Sequence, residues 1–518
     1  TLGEVDTDIE GYILKTTGLK NKEAKSFDLR LWLNSETTNE QGLNKTWKGK
    51  IVVSVVAAEY EPPLSEAILA NNEVKTLLTN PGREVSAYTL DDVTTTSTVS
   101  VSSTYQAYYF TYGTGWEANG TKFNLTGTAV TSDTYTNSYS SLVGKYLVSD
   151  YPASNGSSTV GTMKKTTNLY AVYYVVSATS SSFTYKEITS NKNTTEALLA
   201  STEDDYGTSY YFRGAVKNNY VEFANKCWRI VRITGDGSVK LVLHNDNTTG
   251  VSNPCSSSNN DEHAAYAHYD GTTYTSAFNS SNDDNAYIGF MFGTAGSSDY
   301  ASTHANTNKS TILTNLETWY TNNLASYEDK LADTIWCNDK STFTTFTNGS
   351  NSDTTGLGYG TNDTGYGTKN RLVGGPYINY AASYAKPSLI CPNDNNGGKL
   401  SKFTVNDKIK GNGNLTYKIG LLTADEIAFA GSMTHQYNRS TYLYENATTY
   451  WWSLSPYNFS KNNSQAYISM VQAGYLSTNG VERSFGLRPS ISLVSSVTVT
   501  GSGTSEDPYI VDWLPNDN

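Results

Sequence analysis

Alternating apolar and polar residues dominate the chain and predict strands over most of its length. In KSFDLRLWLN an apolar residue occupies every second position from 27 to 33, which is the period of a half-buried strand. With GYILKTTGL before it and KTWKGKIVV after it, residues 1–60 hold roughly three strands, which alone make a marginal core. Residues 85–192 repeat short Tyr/Thr/Val runs between Gly, Asn and Ser. This second pattern predicts a β-sandwich.

Helical spacing is confined to a few segments. SEAILANNEVKTLL has apolar residues at helical intervals, and Ser65 is the expected N-cap of a short helix. KSTILTNLETWYTNNL has a clear apolar face and predicts the best amphipathic helix, with Ser310 as its N-cap. In LLTADEIAFAG, Thr423 and Glu426 have capping-box spacing, and Gly431 stands where a helix ends.

Strands surround these helices in the C-terminal part of the chain. KCWRIVRITGDGSVKLVLH predicts a hairpin with a Gly-Asp-Gly turn, and YWWSLSP, QAYISMV, FGLRPSISL and DPYIVDWL predict further strands. At 518 residues the chain is too long for one core. We therefore predict a β-rich multidomain protein, with β strands over 1–60, a β-sandwich domain over 61–200 and an α+β domain over 201–518.

Charge and motif content exclude several classes of function. The 37 basic and 49 acidic residues give a net charge of −12, which argues against nucleic acid as a partner. The longest apolar stretch, residues 51–58, is too short for a membrane helix. His263 and His268 are five apart, which is not a zinc-protease spacing, and no nucleophile elbow or phosphate loop occurs. We therefore expect no catalytic residues, no enzymatic activity and no membrane span in this chain.

Four cysteines lie in the C-terminal part: Cys227, Cys255, Cys337 and Cys391. An even number in a polar, tyrosine-rich chain favours two disulfides and an exported protein. Three pairings are open, and we favour Cys227–Cys255 with Cys337–Cys391 because these close the shortest loops. The chain begins at Thr1 rather than Met, which is consistent with removal of a leader that the sequence itself does not show.

Clusters of Asp and Asn are the candidates for a calcium site. The runs NDD and PNDNNGG offer Asp283, Asp284, Asn393 and Asn395 as oxygen ligands for calcium. Neither run has the spacing of a specific calcium loop, and turn chemistry explains both more simply. No other cofactor is expected.

The C-terminal motifs resemble a known family when they are taken in order. WRIVRI, a helix with ETWY, GLLTADEIAFAG, YWWSLSP and FGLRPSISL follow one another within residues 208–511. This order is similar to the C-type-lectin-like fold, in the branch shared by formylglycine-generating enzymes and modular surface proteins of gut Firmicutes. The oxidase members need a reactive cysteine pair late in the domain. Here the last cysteine, Cys391, precedes the L-T-x-x-E helix, so the resemblance implies a non-catalytic module.

Two adjacent tryptophans in TYWWSLSPYNF pose a separate question, because neighbours on a strand point to opposite faces. The family pattern W-x-x-S-P is filled by Trp452, Ser455 and Pro456, so we expect Trp452 to point inward. Trp451 is then expected to point outward. With Tyr450 and Tyr457 it forms a candidate surface for a sugar or a protein, although packing in the core or at a domain interface is the more ordinary interpretation.

The N-terminal strands resemble the closing strands of TasA/camelysin-type proteins, which form extracellular fibres on Gram-positive bacteria. This resemblance implies a domain that a strand from a neighbouring copy completes. We therefore expect an extracellular structural protein of a Gram-positive cell surface, a fibre or biofilm-matrix subunit with itself as partner. The alternative is a monomeric wall-tethered adhesin that binds a host or bacterial glycan or protein through the C-terminal module.

Overall fold

The structure is a computed structural model of the 518-residue chain. Its described residues are chiefly 61–77, 96–110, 130–150, 169–188, 197–259, 263–344, 356–372, 386–432 and 441–511, with short gaps inside these ranges and a few isolated pieces elsewhere. Contacts divide the chain into two compact units, residues 1–60 and 61–518.

The first unit has three short described elements. Strands β1 (Gly3–Glu4) and β2 (Tyr12–Ile13) pair in antiparallel fashion, and helix α1 spans Asn39–Gly42. The strands predicted around residues 27–33 and 51–58 lie outside the described residues.

The second unit opens with helix α2 (Leu64–Asn71). Its N-cap is Pro63 and not Ser65 as predicted, and no side chain caps it. The helix ends before Asn72, which is extended, and Val74 then bridges to Leu199. The predicted helix was therefore too long at its C-terminal end, because this segment joins the edge of a sheet. The apolar face of α2 belongs to the core of the C-terminal region.

A six-stranded antiparallel sheet follows, in the order β3-β10-β9-β8-β4-β7. Its core is rich in tyrosine and includes Tyr105, Tyr109, Tyr135 and Tyr173. The strands of this sheet, together with a separate hairpin β5–β6, are β3 (Ser97–Ser100), β4 (Thr104–Phe110), β5 (Trp116–Glu117), β6 (Thr121–Phe123), β7 (Val130–Thr136), β8 (Tyr146–Asp150), β9 (Leu169–Ala178) and β10 (Ser182–Ile188).

The C-terminal region is α+β and is built on two larger sheets. Its elements are β11 (Leu198–Asp204), β12 (Gly207–Arg213), β13 (Tyr220–Phe223), β14 (Lys226–Ile233), β15 (Val239–Asn245), β16 (Thr275–Ala277), β17 (Met291–Phe292), α3 (Tyr300–Thr303), β18 (Asn308–Lys309), α4 (Thr311–Asn323), β19 (Trp336–Cys337), β20 (Thr342–Phe343), β21 (Thr364–Tyr366), α5 (Gly367–Leu372), β22 (Lys402–Phe403), α6 (Ala424–Phe429), β23 (Tyr450–Ser460), β24 (Gln465–Gln472), β25 (Tyr475–Gly480), β26 (Ser484–Gly486), β27 (Ser490–Leu493), β28 (Val499–Thr500) and β29 (Tyr509–Val511).

The first of these sheets has eight strands, ordered β11-β12-β14-β13-β29-β28, with β15 joining β14 to β27. The second has seven strands, ordered β16-β26-β23-β21-β20, with β24 and β25 added beside β23. One large apolar core serves the whole region and includes both tryptophans of β23. The β-rich fold class predicted from the sequence is confirmed.

Local sequence signals place the helices of this region as predicted. The side chain of Ser310 accepts a hydrogen bond from the Leu313 amide at 3.3 Å and begins α4. Thr423 and Glu426 form the predicted capping box of α6, and Gly431 follows that helix with a φ of 119°. A glycine tolerates this backbone conformation without strain. No described helix is both long and apolar enough to cross a membrane.

Candidate functional site

The four cysteines form two disulfides, Cys227–Cys255 and Cys337–Cys391. This is the pairing that closes the shortest loops. The first bond ties the start of β14 to the loop after β15. The second ties the end of β19 to the segment 386–393, and both of its cysteines line a small cavity.

This cavity is the main concentration of charged side chains in the described part of the chain, and its volume is about 20 Å³. That volume is enough for about one water molecule. The turn after β11, strands β14 and β15, and the first turn of α6 all contribute to the wall. The charged residues that line it are Asp205, Arg232, Lys240, Asp339, Arg371, Asp425 and Glu426.

Glu426 is the centre of the charge network. Its Oε1 accepts hydrogen bonds from Lys240 Nζ at 2.7 Å and from Arg232 Nε at 3.1 Å, while Oε2 accepts from the Thr423 amide. Arg232 also pairs with Asp204. Burial alone would raise the pKa of Glu426, but the charges of Lys240 and Arg232 outweigh it and lower the pKa to about 2. The carboxyl group is therefore ionised at neutral pH.

The pKa of Lys240 is set by a different balance of burial and neighbouring charges. Burial lowers its pKa to about 8, against the opposing charge of Glu426, and the nearby charge of Arg232 acts in the same direction as burial. Its ammonium also lies 4.3 Å from the centre of the Trp336 ring. Glu426 has two cationic partners, whereas Lys240 shares its one carboxylate partner with Arg232. The network therefore stabilises the charged form of Glu426 more than the charged form of Lys240.

A second charged cluster lies beside the first. The guanidinium of Arg371, at the end of α5, binds both oxygens of Asp425 at 2.9 Å and Asp339 Oδ2 at 2.7 Å. Asp205 accepts from Lys402 Nζ and from the Cys391 amide. Every carboxylate in the cavity wall therefore has a cationic partner. The arrangement ties the end of β11 and strands β14 and β15 to helices α5 and α6 and to the segment around Asp339.

A wider groove lies elsewhere on the C-terminal region, with a volume of about 190 Å³. Phe223, Tyr327 and Ile510 provide its apolar wall, and Glu222 and Lys330 provide charge. Both concavities are smaller than the roughly 300–1,000 Å³ of typical small-molecule sites.

The structure corrects the orientation expected for Trp451. Its side chain is only 2% exposed, and that of Trp452 is fully buried. Strand alternation does separate them: Trp452 packs near Phe278 and donates to the Ser276 carbonyl at 2.8 Å, whereas the Arg488 guanidinium lies 4.9 Å from the Trp451 ring. Both faces of β23 are covered, so the outward face is a second buried surface and offers no exposed ring to a sugar.

The other two aromatic candidates are half-buried. The Tyr450 hydroxyl accepts from Gln472 Nε2 at 3.0 Å, and its ring packs edge-on against Phe485. The ammonium of Lys369 lies 5.3 Å from the centre of the Tyr457 ring, and burial raises the pKa of Tyr457 to about 12. The structure thus gives both rings partners within the chain and does not join them with Trp451 into one exposed platform.

The calcium candidates are dispersed. Asp284 is buried, and its carboxylate accepts from the amides of Ala286 and Gly296, which makes it a turn residue. Asp283 and Asn393 are exposed, and Asn395 lies outside the described residues. Among the residues that the structure describes, no group of three or more His, Cys, Asp or Glu side chains could hold a metal ion.

Sequence reasoning missed the charged cluster almost entirely. Glu426 was assigned only to the capping box, and Arg232 and Lys240 entered only as part of the predicted hairpin. A signal was present: β14 and β15 carry Arg and Lys within strands that are otherwise apolar. Paired charges inside such strands indicate a buried network, since an unpaired buried charge is strongly unfavourable. No family model, curated protein or solved structure matches the chain.

Proposed function

We propose that the protein is an extracellular structural protein that assembles into a fibre on a Gram-positive cell surface by adding strands between copies. Two disulfides and a β-rich architecture support an extracellular location. The resemblance of the C-terminal motifs to surface modules and of the first strands to fibre proteins supports the cell surface. In this assembly, a strand of the next copy pairs with the exposed strand β3 at the edge of the six-stranded sheet.

Strand β3 has the properties of a strand that can accept a partner. Ser97, Thr98 and Ser100 are exposed, and the strand contains no charged residue and no proline. Natural edge strands are commonly protected by such residues. Among the described residues β3 pairs only with β10. Its outer backbone groups are therefore a template for a further strand.

The register identifies which backbone groups face outward. Val101 donates its amide to the Ser181 carbonyl at 2.9 Å, and Ser100 stands opposite Ser182. In an antiparallel pair, hydrogen-bonded and non-hydrogen-bonded positions alternate. The amides of Ser100 and Thr98 therefore point away from β10 and toward the open edge.

The two edges of this sheet differ, which allows a chain of copies. Strand β7 forms the other edge in the described residues. A contact between β3 of one copy and β7 of the next joins two different surfaces. Such head-to-tail contacts generate a filament when the rotation between successive copies does not close a ring.

The test compares two substitutions at one position. Ser100→Pro removes an outward amide and leaves the ladder to β10 intact, because proline is tolerated where the amide faces solvent. Ser100→Ala keeps the amide and serves as the matched control. We expect filaments of the purified chain in electron micrographs for the wild type and for Ser100→Ala, and far fewer for Ser100→Pro.

The outcome also separates the fibre from a monomeric adhesin. A wild-type chain that sediments as a monomer at high concentration and forms no filaments contradicts the proposal and favours the adhesin. Equal assembly of Ser100→Pro and Ser100→Ala would show that β3 is not the contact.

A further inference from the structure

Lys340 is a fully buried lysine whose Nζ, among the described residues, is hydrogen-bonded to neutral oxygen atoms and lies 4.9 Å from the centre of the Phe403 ring. It lies in the turn between β19 and β20, with 0% of its surface exposed. Its Nζ contacts Asn306 Oδ1, the Met291 carbonyl at 3.0 Å and the Leu400 carbonyl at 3.3 Å. Burial holds its pKa well below the usual range. Because an unpaired buried charge is costly, this environment favours the neutral amine, which is the nucleophilic form of a lysine.

Asn306 presents its carboxamide to this amine in the same dry region. Its side chain is almost completely buried, and Nδ2 donates to the Leu400 carbonyl at 3.0 Å while Oδ1 faces Lys340 Nζ. Both ends of the carboxamide are therefore held. Since Cγ lies about 1.2 Å from Oδ1, the contact also brings Nζ within reach of the carbonyl carbon. Two groups held together in this way react as if at very high local concentration.

We propose that Lys340 and Asn306 form an intramolecular amide bond. Nζ attacks Cγ of Asn306, the new C–N bond forms, and the bond from Cγ to Nδ2 breaks. The proton that Nζ loses goes to the departing Nδ2, and ammonia leaves. No oxidant, metal or further reactant is needed. The reaction removes a buried amine that has no carboxylate partner among the described residues, and the remaining N–H of the amide can still donate to the Met291 carbonyl.

The bond would act as a third internal cross-link. It joins positions 34 residues apart and lies three residues from the disulfide at Cys337. Unlike the disulfide, it would persist under reducing conditions. This property suits a protein that must hold its shape outside the cell, but the proposal does not depend on fibre assembly.

Mass spectrometry of the reduced full-length chain provides the test. We expect the wild-type mass to fall below the mass of its sequence by one ammonia. After digestion with trypsin, segment 241–309 should be joined to segment 331–369, because an acylated Lys340 is not cleaved. Lys340→Met and Asn306→Gly should have the masses of their sequences. Lys309→Met, which changes an exposed lysine near Asn306, should keep the loss of ammonia.

Two results would overturn the proposal. The first is a wild-type chain with the full mass of its sequence. The second is a loss of ammonia without the joined peptide, because a succinimide at an Asn-Gly step loses the same mass. Both measurements are made on the wild-type chain, so a variant that fails to fold does not affect the conclusion.

Discussion

The six-stranded sheet and the C-terminal region use charged residues in opposite ways. In the sheet, Lys145 and Asp133 form an ion pair at 3.7 Å, and their side chains are 28% and 52% exposed. In the C-terminal region, Arg232, Lys240 and Glu426 form ion pairs inside the protein. Charged residues therefore form an exposed ion pair in the six-stranded sheet, whereas in the C-terminal region they form ion pairs in the interior.

The difference extends to the cores and the cross-links. The sheet packs tyrosines in a small core, and no cysteine occurs between its first and last strands. The C-terminal region buries tryptophans on both faces of β23 and has two disulfides. Only 17% of the residues in this chain are charged. The contribution of an ion pair to stability depends more on whether the pair is buried than on how many charges the chain has. Exposed ion pairs contribute little, whereas a broken buried pair is strongly destabilising.

The largest expected effect concerns Trp451. Trp451→Ala should lower the free energy of unfolding of the C-terminal region by about 3–5 kcal/mol, because it removes a buried ring and leaves a cavity beneath Arg488. Denaturant unfolding followed by tryptophan fluorescence measures the change. Tyr450→Phe, one residue earlier, is the control and should cost about 1 kcal/mol through the lost contact with Gln472. A Trp451→Ala variant as stable as wild type would place the ring at the surface after all.

Removing the central carboxylate should have the next largest effect. Glu426→Gln leaves Arg232 and Lys240 buried with less opposing charge, and should lower the free energy of unfolding by about 3 kcal/mol. Denaturant unfolding measures this loss. A loss below about 1 kcal/mol would mean that the network contributes no more than a surface ion pair.

The acid sensitivity of the C-terminal region provides the control for this variant. The pKa of Glu426 is lowered from 4.5 to about 2 on folding. The unfolded chain therefore binds the proton more readily, and stability decreases as the pH falls from about 4.5 toward 2. Above that window the contribution is fully present. Glu426→Gln should remove this part of the pH dependence, and an unchanged acid profile would contradict the assignment.

Loss of the disulfide at the charged cavity should follow in size. Replacing Cys337 and Cys391 by alanine opens a loop with a sequence separation of 54 and should cost about 2–4 kcal/mol. Hydrogen exchange can locate the effect. Peptides from the C-terminal region should lose protection, while those from residues 97–188 should not. Equal loss in both regions would show that they unfold as one unit.

The smallest effect is expected in the six-stranded sheet. Asp133→Asn removes the charge that faces Lys145, and should change stability by less than about 1 kcal/mol because water screens the half-exposed pair. Thermal unfolding in low and high salt measures it. A loss of stability as large as that expected for Glu426→Gln would contradict the difference proposed between the two regions.

Much of the fold follows from local signals in the sequence. Ser310, Thr423 and Glu426 mark helix starts because capping depends on residues within one turn. The turn at residues 235–237 marks a hairpin for the same reason. The error at α2 has the opposite cause: the segment after Asn71 joins the edge of a sheet whose strand lies over a hundred residues away. No pattern among neighbouring residues predicts that Val74 bridges to Leu199.

The sequence by itself determined the class of this protein: a β-rich, low-charge, acidic chain with cysteines fit for two disulfides, and a tryptophan pair on one strand. Only the tertiary structure decided where the second tryptophan goes, because alternation separates two faces but does not say whether both are covered. It also decided which charges meet. Arg232 and Glu426 are 194 positions apart, and a pairing over that distance depends on the packing of whole sheets and helices.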